Sequence, residues 1–216
     1  MSESTQTSQN PLLRTKLHRP VVPKDFLFRP RLHELMNLGL DLPLTLVSAP
    51  AGYGKSLLVS HWAASRSIPC AWLSLDASDR AVDLFVDYLL AAVETVAPDA
   101  CRRTRRMAQA PEPPPTPVLA NALINELDAL TSPLVLVLDD YHRIRGDSEV
   151  HELMRLLLAH PPRRLHLVIV TRRDPPLGLT RLLAQAGGTE VRLTDLRFTD
   201  ARDPDAAAGT AGIYRQ

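Results

Sequence analysis

Two hydrophobic patterns alternate along this chain. Nearly uniform apolar runs occupy residues 42–49, 70–76, 133–139 and 165–171, and a fifth, less apolar run occupies residues 189–196. Short runs of this kind predict buried strands. Between them, apolar residues recur every three or four positions at residues 55–64, 82–96, 119–130 and 150–157. This spacing predicts amphipathic helices, and shorter helices are predicted after Pro30 and around Leu179 and Leu182.

The alternation of strands and helices predicts the fold class. Strands that are apolar on both faces are typical of a parallel sheet covered by helices on either side. We therefore expect an α/β three-layer sandwich with a mostly parallel sheet of about five strands.

The two ends of the chain lack this pattern. Residues 1–14 begin with a Ser/Thr/Gln-rich stretch and are predicted to be disordered, whereas residues 200–216 show neither period and are predicted to be an irregular tail. Residues 15–199 are predicted to form one domain. Within it, the proline-rich residues 111–117 predict a rigid connector, because proline interrupts both helices and central strands.

Charge and cysteine content restrict the function classes. The 216 residues carry a formal net charge of +1, which gives no general attraction to nucleic acid or to an anionic membrane. The basic cluster formed by Arg102, Arg103, Arg105 and Arg106 is interpreted as a solvated surface. Cys70 and Cys101 lack metal-ligand spacing and are too few for a disulfide framework. With no membrane-length apolar run and no signal-peptide pattern, the chain is expected to be a cytoplasmic protein.

The strongest chemical motif follows the first predicted strand. Residues 49–56, APAGYGKS, match the phosphate-binding loop pattern, with Ala49 in place of the usual first glycine. Backbone amides must approach a polyphosphate closely, and Gly52 and Gly54 permit the conformations this needs. Lys55 is predicted to neutralise the β- and γ-phosphates, and the Ser56 hydroxyl to bind Mg²⁺. The predicted nucleotide-binding residues of the loop are Ala51, Gly52, Tyr53, Gly54, Lys55 and Ser56. The alternative is a chance glycine-rich turn, which the flanking strand and helix make less favourable.

An acidic pair ends the third predicted strand. Asp139 is predicted to be the carboxylate on the Mg²⁺ side of the nucleotide, and Asp140 is predicted to orient or deprotonate the attacking water. The alternative is that both acids cap a turn.

An arginine follows the fourth predicted strand. Arg172 is a candidate catalytic residue that contacts the γ-phosphate and distinguishes a triphosphate from a diphosphate. The alternative is that Arg172 or Arg173 pairs with Asp174 in an exposed turn. His142 is interpreted as a loop histidine, and Trp62 and Trp72 as core residues.

With these residues identified, the chain resembles a known family. Residues 15–199 are similar to the N-terminal ATPase core of the STAND class of P-loop NTPases, and within it to the large MalT-type, LuxR-family transcriptional regulators. The resemblance rests on TKLHRP, FRPRL, SAPAGYGKS with HWAA, AWLSLD, LVLVLDDYH, LVIVTRRDPPL and LRFT. Several of these motifs are independent of the phosphate-binding loop.

The resemblance implies a P-loop NTPase fold with the loop-bearing strand central and the strands ending at Asp139 and Thr171 on one side of it. It also implies ATP with Mg²⁺ as the cofactor, slow hydrolysis that serves as a timer, and a position for Phe28 and Arg29 near the adenine. In such regulators the ATP-bound form assembles into homo-oligomers.

Those regulators continue into sensor and DNA-binding regions after this core. Residues 200–216 do not follow the family pattern, so the expectation is a switch domain without the sensor and helix-turn-helix, from a truncated or deliberately short chain. We expect no DNA contact from this chain alone. Two alternatives stay open: a stand-alone small ATPase or kinase, and a non-functional remnant.

Overall fold

The computed structural model describes residues 11–197 except 180, 182 and 184–186. The strands are β1 (Leu44–Ser48), β2 (Cys70–Ser74), β3 (Leu134–Asp139), β4 (Leu165–Thr171) and β5 (Thr189–Arg192). The helices are α1 (Pro30–Leu38), α2 (Lys55–Ala64), α3 (Val82–Glu94), α4 (Arg102–Ala108), α5 (Thr116–Asp128), α6 (Glu149–Ala159) and α7 (Leu193–Leu196). Short 3-10 helices cover Arg14–Leu17, Ala77–Arg80 and Tyr141–Arg143. The predicted tail at 200–216 and the first ten residues of the predicted disordered segment lie outside the described residues.

The five strands form one parallel sheet in the order β2-β3-β4-β1-β5. This confirms the predicted α/β fold and strand number. The expectation that the strands ending at Asp139 and Thr171 lie on one side of β1 is confirmed. The expectation that β1 is the central strand is wrong, because β4 occupies the middle and β1 lies next to the β5 edge. β1 and β4 are both fully buried, as interior strands are, whereas β5 is short and alternates buried with half-buried residues, which suits an edge. Because β5 alone lies beyond β1, the middle position falls to β4.

Strand residues divide by side-chain type between the two faces of the sheet. Leucine and isoleucine, such as Leu46, Leu136 and Ile169, face the larger core cluster that α3, α5 and α6 cover. Valines, such as Val137 and Val168, face the smaller cluster formed with α1 and α2. Trp62 and Trp72 are buried in that smaller cluster, as predicted. This two-sided burial makes the sheet a rigid platform for the loops at its carboxyl end.

Three local predictions need correction. The predicted strand 189–196 ends at Arg192, where the Asp195 carboxylate accepts the Arg192 backbone N–H at 2.8 Å and starts α7. The predicted connector 111–117 is two residues too long, because Thr116 and Pro117 belong to α5. Proline is tolerated in the first turn of a helix, where its missing N–H would have no intrahelical partner. The arginine cluster forms α4, which the hydrophobic pattern did not predict. Leu182, assigned to a short helix, lies outside the described residues.

The N-terminal segment is anchored to the β2 edge of the sheet. Lys16 forms a salt bridge with the fully buried Asp79, and its ammonium lies 4.1 Å from the centre of the Tyr88 ring. The Leu13 N–H donates to the Tyr88 hydroxyl at 3.1 Å. Among the described helices, none combines the length and the apolar character that crossing a membrane requires.

Candidate nucleotide-binding site

The loop between β1 and α2 adopts the backbone that its glycines allow. Gly52 and Gly54 have φ values of 87° and 69°, and Gly54 is the residue immediately before α2. A Cβ on Gly52 would meet no atom within 4 Å, so the left-handed backbone, rather than crowding, favours glycine there. The first amides of α2 therefore start directly at the end of the loop, where an anion is favoured.

Lys55 lies where four charged groups come together. Its side chain is buried and its ammonium donates to the Pro50 carbonyl at 2.8 Å. Burial lowers the pKa of Lys55, Arg172 lowers it further, and Asp140 and Asp139 oppose both effects. The acidic pair and the candidate arginine thus all influence the pKa of Lys55.

Ser56 and Asp139 are in direct contact. The Ser56 hydroxyl donates to Asp139 Oδ1 at 2.8 Å, and the Asp140 N–H donates to the same oxygen at 2.9 Å. Burial is the main reason that the pKa of Asp139 rises to about 6; the hydrogen bond from Ser56 acts against it. Burial disfavours the charged form of Asp139, and a divalent cation beside the carboxylate would offset that cost.

The donor set at this point suits Mg²⁺. Within the described residues no group of three or more His, Cys, Asp or Glu side chains could hold a metal ion. One carboxylate and one hydroxyl fit Mg²⁺, which keeps waters and takes phosphate oxygens for its remaining positions. Ser56 and Asp139 would hold the ion, and the ion would neutralise phosphate charge.

Asp140 has an unusual backbone for a non-glycine residue. Its φ is 57°, which places it in the left-handed region at the end of β3. Its carboxylate is 40% exposed, and Oδ1 lies 3.7 Å from His142 Nδ1. The strained turn thus directs the chain away from the strand while its acid remains open to water.

His142 is a site residue whose importance sequence reasoning missed. Its side chain is only 9% exposed, and burial lowers its pKa, with Arg172 and Lys55 adding to the decrease and Asp140 opposing it. It therefore belongs to the same electrostatic cluster as the predicted residues. Its position two residues after Asp140 was the available signal.

The alternative partner suggested for Arg172 or Arg173 is wrong. Asp174 instead accepts hydrogen bonds from the Ser48 hydroxyl at 2.9 Å and from the Arg192 guanidinium. The exposed Arg172 is therefore not tied to Asp174, and its charge lowers the pKa of Lys55.

Arg29 lies against the end of the phosphate-binding loop. It is buried, its guanidinium donates to the Leu196 carbonyl at 3.0 Å, and Nη2 lies 3.6 Å from the Cβ position of Gly54. Phe28, one residue earlier, packs edge-on against His33, with ring centres 4.7 Å apart. Arg29 thus lies at the start of α2, which is compatible with the predicted place of the nucleotide, whereas the ring centre of Phe28 also lies 5.4 Å from that of His61 in the last turn of α2.

Comparison with known proteins agrees with this geometry. The family described as AAA ATPase domain matches residues 31–170, which include the loop, the acidic pair and most of β4. The chain belongs to the AAA ATPase domain family. The fold of this AAA ATPase domain is also similar to that of Cdc6p from Pyrobaculum aerophilum, with a TM-score of 0.52 at 12% identity, covering 84% of this chain and 49% of that one.

Two curated relatives have higher sequence identity to this AAA ATPase domain. The HTH-type transcriptional regulator MalT of Serratia proteamaculans is 38% identical over 188 residues, covering 87% of this chain and 21% of the relative. The protein of the same name from Yersinia pestis is 36% identical over 187 residues, covering 87% of this chain and 20% of the relative. The chain thus spans about a fifth of the length of these relatives.

Proposed function

We propose that this AAA ATPase domain binds ATP with Mg²⁺ and acts as the nucleotide-dependent switch of a MalT-type transcriptional regulator. The observation that carries the proposal is the 2.8 Å contact between Ser56 and Asp139 beside the buried Lys55. It joins the phosphate-binding loop to the predicted metal carboxylate. The similarity to two proteins named as transcriptional regulators over 87% of this chain supports the regulatory role.

Each residue receives a role from its place in the cleft. Amides of residues 51–56 bind the phosphates, Lys55 neutralises them, Ser56 and Asp139 hold Mg²⁺, and Arg172 contacts the γ-phosphate. Arg29 is proposed to lie near the nucleotide because it adjoins Gly54. When bound, Mg²⁺ would supply positive charge that offsets the negative charge of the phosphates.

Slow hydrolysis is part of the proposal. Asp140 is the candidate to orient water, but its carboxylate is 40% exposed, and Oδ1 lies 3.7 Å from His142 Nδ1, beyond hydrogen-bond distance. A loosely held, solvated carboxylate positions water poorly, which favours slow turnover. The ATP state would then persist long enough to act as a signal.

The wider setting is also proposed. We assign residues 15–199 to this ATPase domain, expect it in the cytoplasm, and expect the ATP-bound form to self-associate. No DNA contact is assigned to these residues. The target genes and inducer would belong to the regulator as a whole.

Titration of a fluorescent ATP analogue, with and without Mg²⁺, tests the proposal. We expect saturable binding by the wild type and none by Lys55→Ala, with both proteins showing the same circular dichroism spectrum. A folded wild-type protein that does not bind the analogue would overturn the proposal. Rapid phosphate transfer to a metabolite would instead favour a small kinase.

A further inference from the structure

A second cluster of charges connects the carboxyl ends of three neighbouring strands. Ser48 ends β1 and is paired in register with Thr171 of β4 and Arg192 of β5. Asp174, three residues beyond β4, accepts hydrogen bonds from the Ser48 hydroxyl and the Arg192 guanidinium. Burial pushes the pKa of Asp174 up, but these hydrogen bonds outweigh it and hold the pKa below its usual value. The carboxylate is therefore a charged link between the three strand ends.

Arg192 holds this link in a fixed orientation. Its Nε and Nη2 also donate to the two Glu190 oxygens at 3.0 and 2.9 Å, so the guanidinium engages both acids at once. A fork of this kind restricts the arginine far more than a single ion pair does. The pairs with Glu190 and Asp174 raise the pKa of Arg192, so the guanidinium stays charged.

One side of the cluster reaches the nucleotide cleft. Ser48 directly precedes Ala49, the first residue of the phosphate-binding loop. Asp174 lies two residues after Arg172. The charge of Arg172 lowers the pKa of Lys55 in the loop. The cluster is therefore joined to the loop through the hydrogen bond from Ser48 to Asp174, and Asp174 lies two residues from the candidate arginine.

The other side reaches the last described residues. The Arg192 N–H donates to Asp195 at the start of α7. Two carbonyls of α7 accept hydrogen bonds from arginines at and after the start of α1. The Leu196 carbonyl accepts from Arg29 at 3.0 Å, and the Asp195 carbonyl accepts from Arg31 at 2.7 Å. Because Arg29 adjoins Gly54, these contacts close a ring that begins and ends at the phosphate-binding loop.

We infer that Arg192 is a positioning residue that couples recognition of the γ-phosphate to the seating of residues 193–197. The inference rests on the proposed function, since it requires that ATP occupies the cleft. A ligand shifts a conformational equilibrium only by its differential affinity for the two states, and the γ-phosphate is the group that distinguishes ATP from ADP. The hydrogen bonds that run from Ser48, next to the phosphate-binding loop, through Asp174 and Arg192 to Asp195 of α7 give that difference a route to the chain beyond the sheet. By linkage, the seating of α7 in turn raises the preference for ATP.

The test compares ATP and ADP affinities, with Mg²⁺, in the full chain and in Arg192→Gln. The expected result is that the variant keeps its ADP affinity and loses its preference for ATP about fivefold or more, the lower range of measured couplings. Amide hydrogen exchange at 193–197 should differ between ATP and ADP in the wild type and not in the variant. The near-isosteric Asp174→Asn should behave in the same way, which covers the case in which Arg192→Gln does not fold.

Arg163→Gln is the matched control. Arg163 also forms a forked pair with an aspartate, Asp128, at 2.9 and 3.1 Å, but at the opposite end of the sheet. We expect it to leave the ATP-to-ADP ratio unchanged. The charge exchange Asp174→Arg with Arg192→Asp should restore part of the preference.

Two outcomes would overturn the inference. One is an unchanged ATP-to-ADP ratio in Arg192→Gln and Asp174→Asn; the other is an equal loss of both affinities, which indicates a structural role alone. Failure of the proposed function looks different, because the wild type would then bind neither nucleotide.

Discussion

Both ends of the sheet carry buried polar groups, but the amino end buries a neutral imidazole, whereas the carboxyl end buries a lysine and a carboxylate. At the amino end, His166 Nδ1 donates to the Leu42 carbonyl at 2.7 Å and Nε2 accepts from the Thr45 hydroxyl at 3.1 Å. At the carboxyl end, Lys55 and Asp139 are both buried, and burial shifts the pKa of each toward its neutral form. The amino end is therefore built for stability, whereas the carboxyl end gives up stability to receive a charged ligand.

The largest expected effect is ligand stabilisation at the carboxyl end. Mg²⁺ and ATP at about 100-fold above Kd should stabilise the wild type by about 2.7 kcal/mol. For a domain of this size the melting temperature should rise by roughly 5–10 °C. Differential scanning fluorimetry should show no such rise in Lys55→Ala, because the phosphates lose their buried cation. A full rise in that variant would show that the ligand binds elsewhere.

A stability loss of similar size is expected at the amino end. His166→Leu leaves the Leu42 carbonyl and the Thr45 hydroxyl buried without their partner, which should lower the free energy of unfolding by about 2 kcal/mol. Urea titration measures the loss. The matched Thr45→Val, which removes one partner only, should lose about 1 kcal/mol. Neither variant should change ATP affinity, and a change would contradict the division between the two ends.

Metal dependence should be lost at the carboxyl end without loss of nucleotide binding. Asp139→Asn keeps the shape of the side chain and removes the charge that would hold Mg²⁺. Isothermal titration should show equal ATP affinity with and without Mg²⁺ in this variant. Asp128→Asn, at the amino end, keeps the wild-type Mg²⁺ dependence. A strong Mg²⁺ effect surviving in Asp139→Asn would assign the metal to another residue.

Acid should lower the free energy of unfolding by protonating His166 at the amino end of the sheet. Burial lowers the pKa of His166, so the folded protein holds it neutral while the unfolded chain protonates it near its ordinary value. Its contribution is therefore fully present above about pH 6.5 and is lost as the pH falls through the folded pKa. Urea midpoints from pH 7.5 to 5 should fall less steeply in His166→Leu than in the wild type. If the urea midpoints of both proteins fell equally with pH, His166 would not be the cause of the acid sensitivity.

The smallest effect is expected from the exposed pair at the amino end. Arg163 and Asp128 form a forked salt bridge on the surface, with the arginine side chain 82% exposed. Solvent screens such pairs, so Arg163→Ala should leave the melting temperature and ATP binding unchanged. A clear loss of stability would show that this end depends on surface charge as well as on His166.

Sequence patterns were sufficient for the elements that form locally. Short stretches predicted three such elements: the apolar run predicted β3, the helical period predicted α3, and Gly52 and Gly54 predicted the loop. Each signal is carried by neighbouring residues and does not depend on distant parts of the chain. The functional candidates Lys55, Asp139 and Arg172 came from the same reasoning, since a phosphate site uses strand ends in a known order.

Only the tertiary structure decided which distant residues meet. The central place of β4 and the pairing of Asp174 with Arg192 depend on strand order and on how loops cross the sheet edge. Strand order depends on contacts between residues far apart in the chain, whose side chains show no mutual pattern along the sequence. For this reason candidate residues of the cleft could be named from the sequence, whereas the ring of contacts that links the loop to α7 required the assembled sheet.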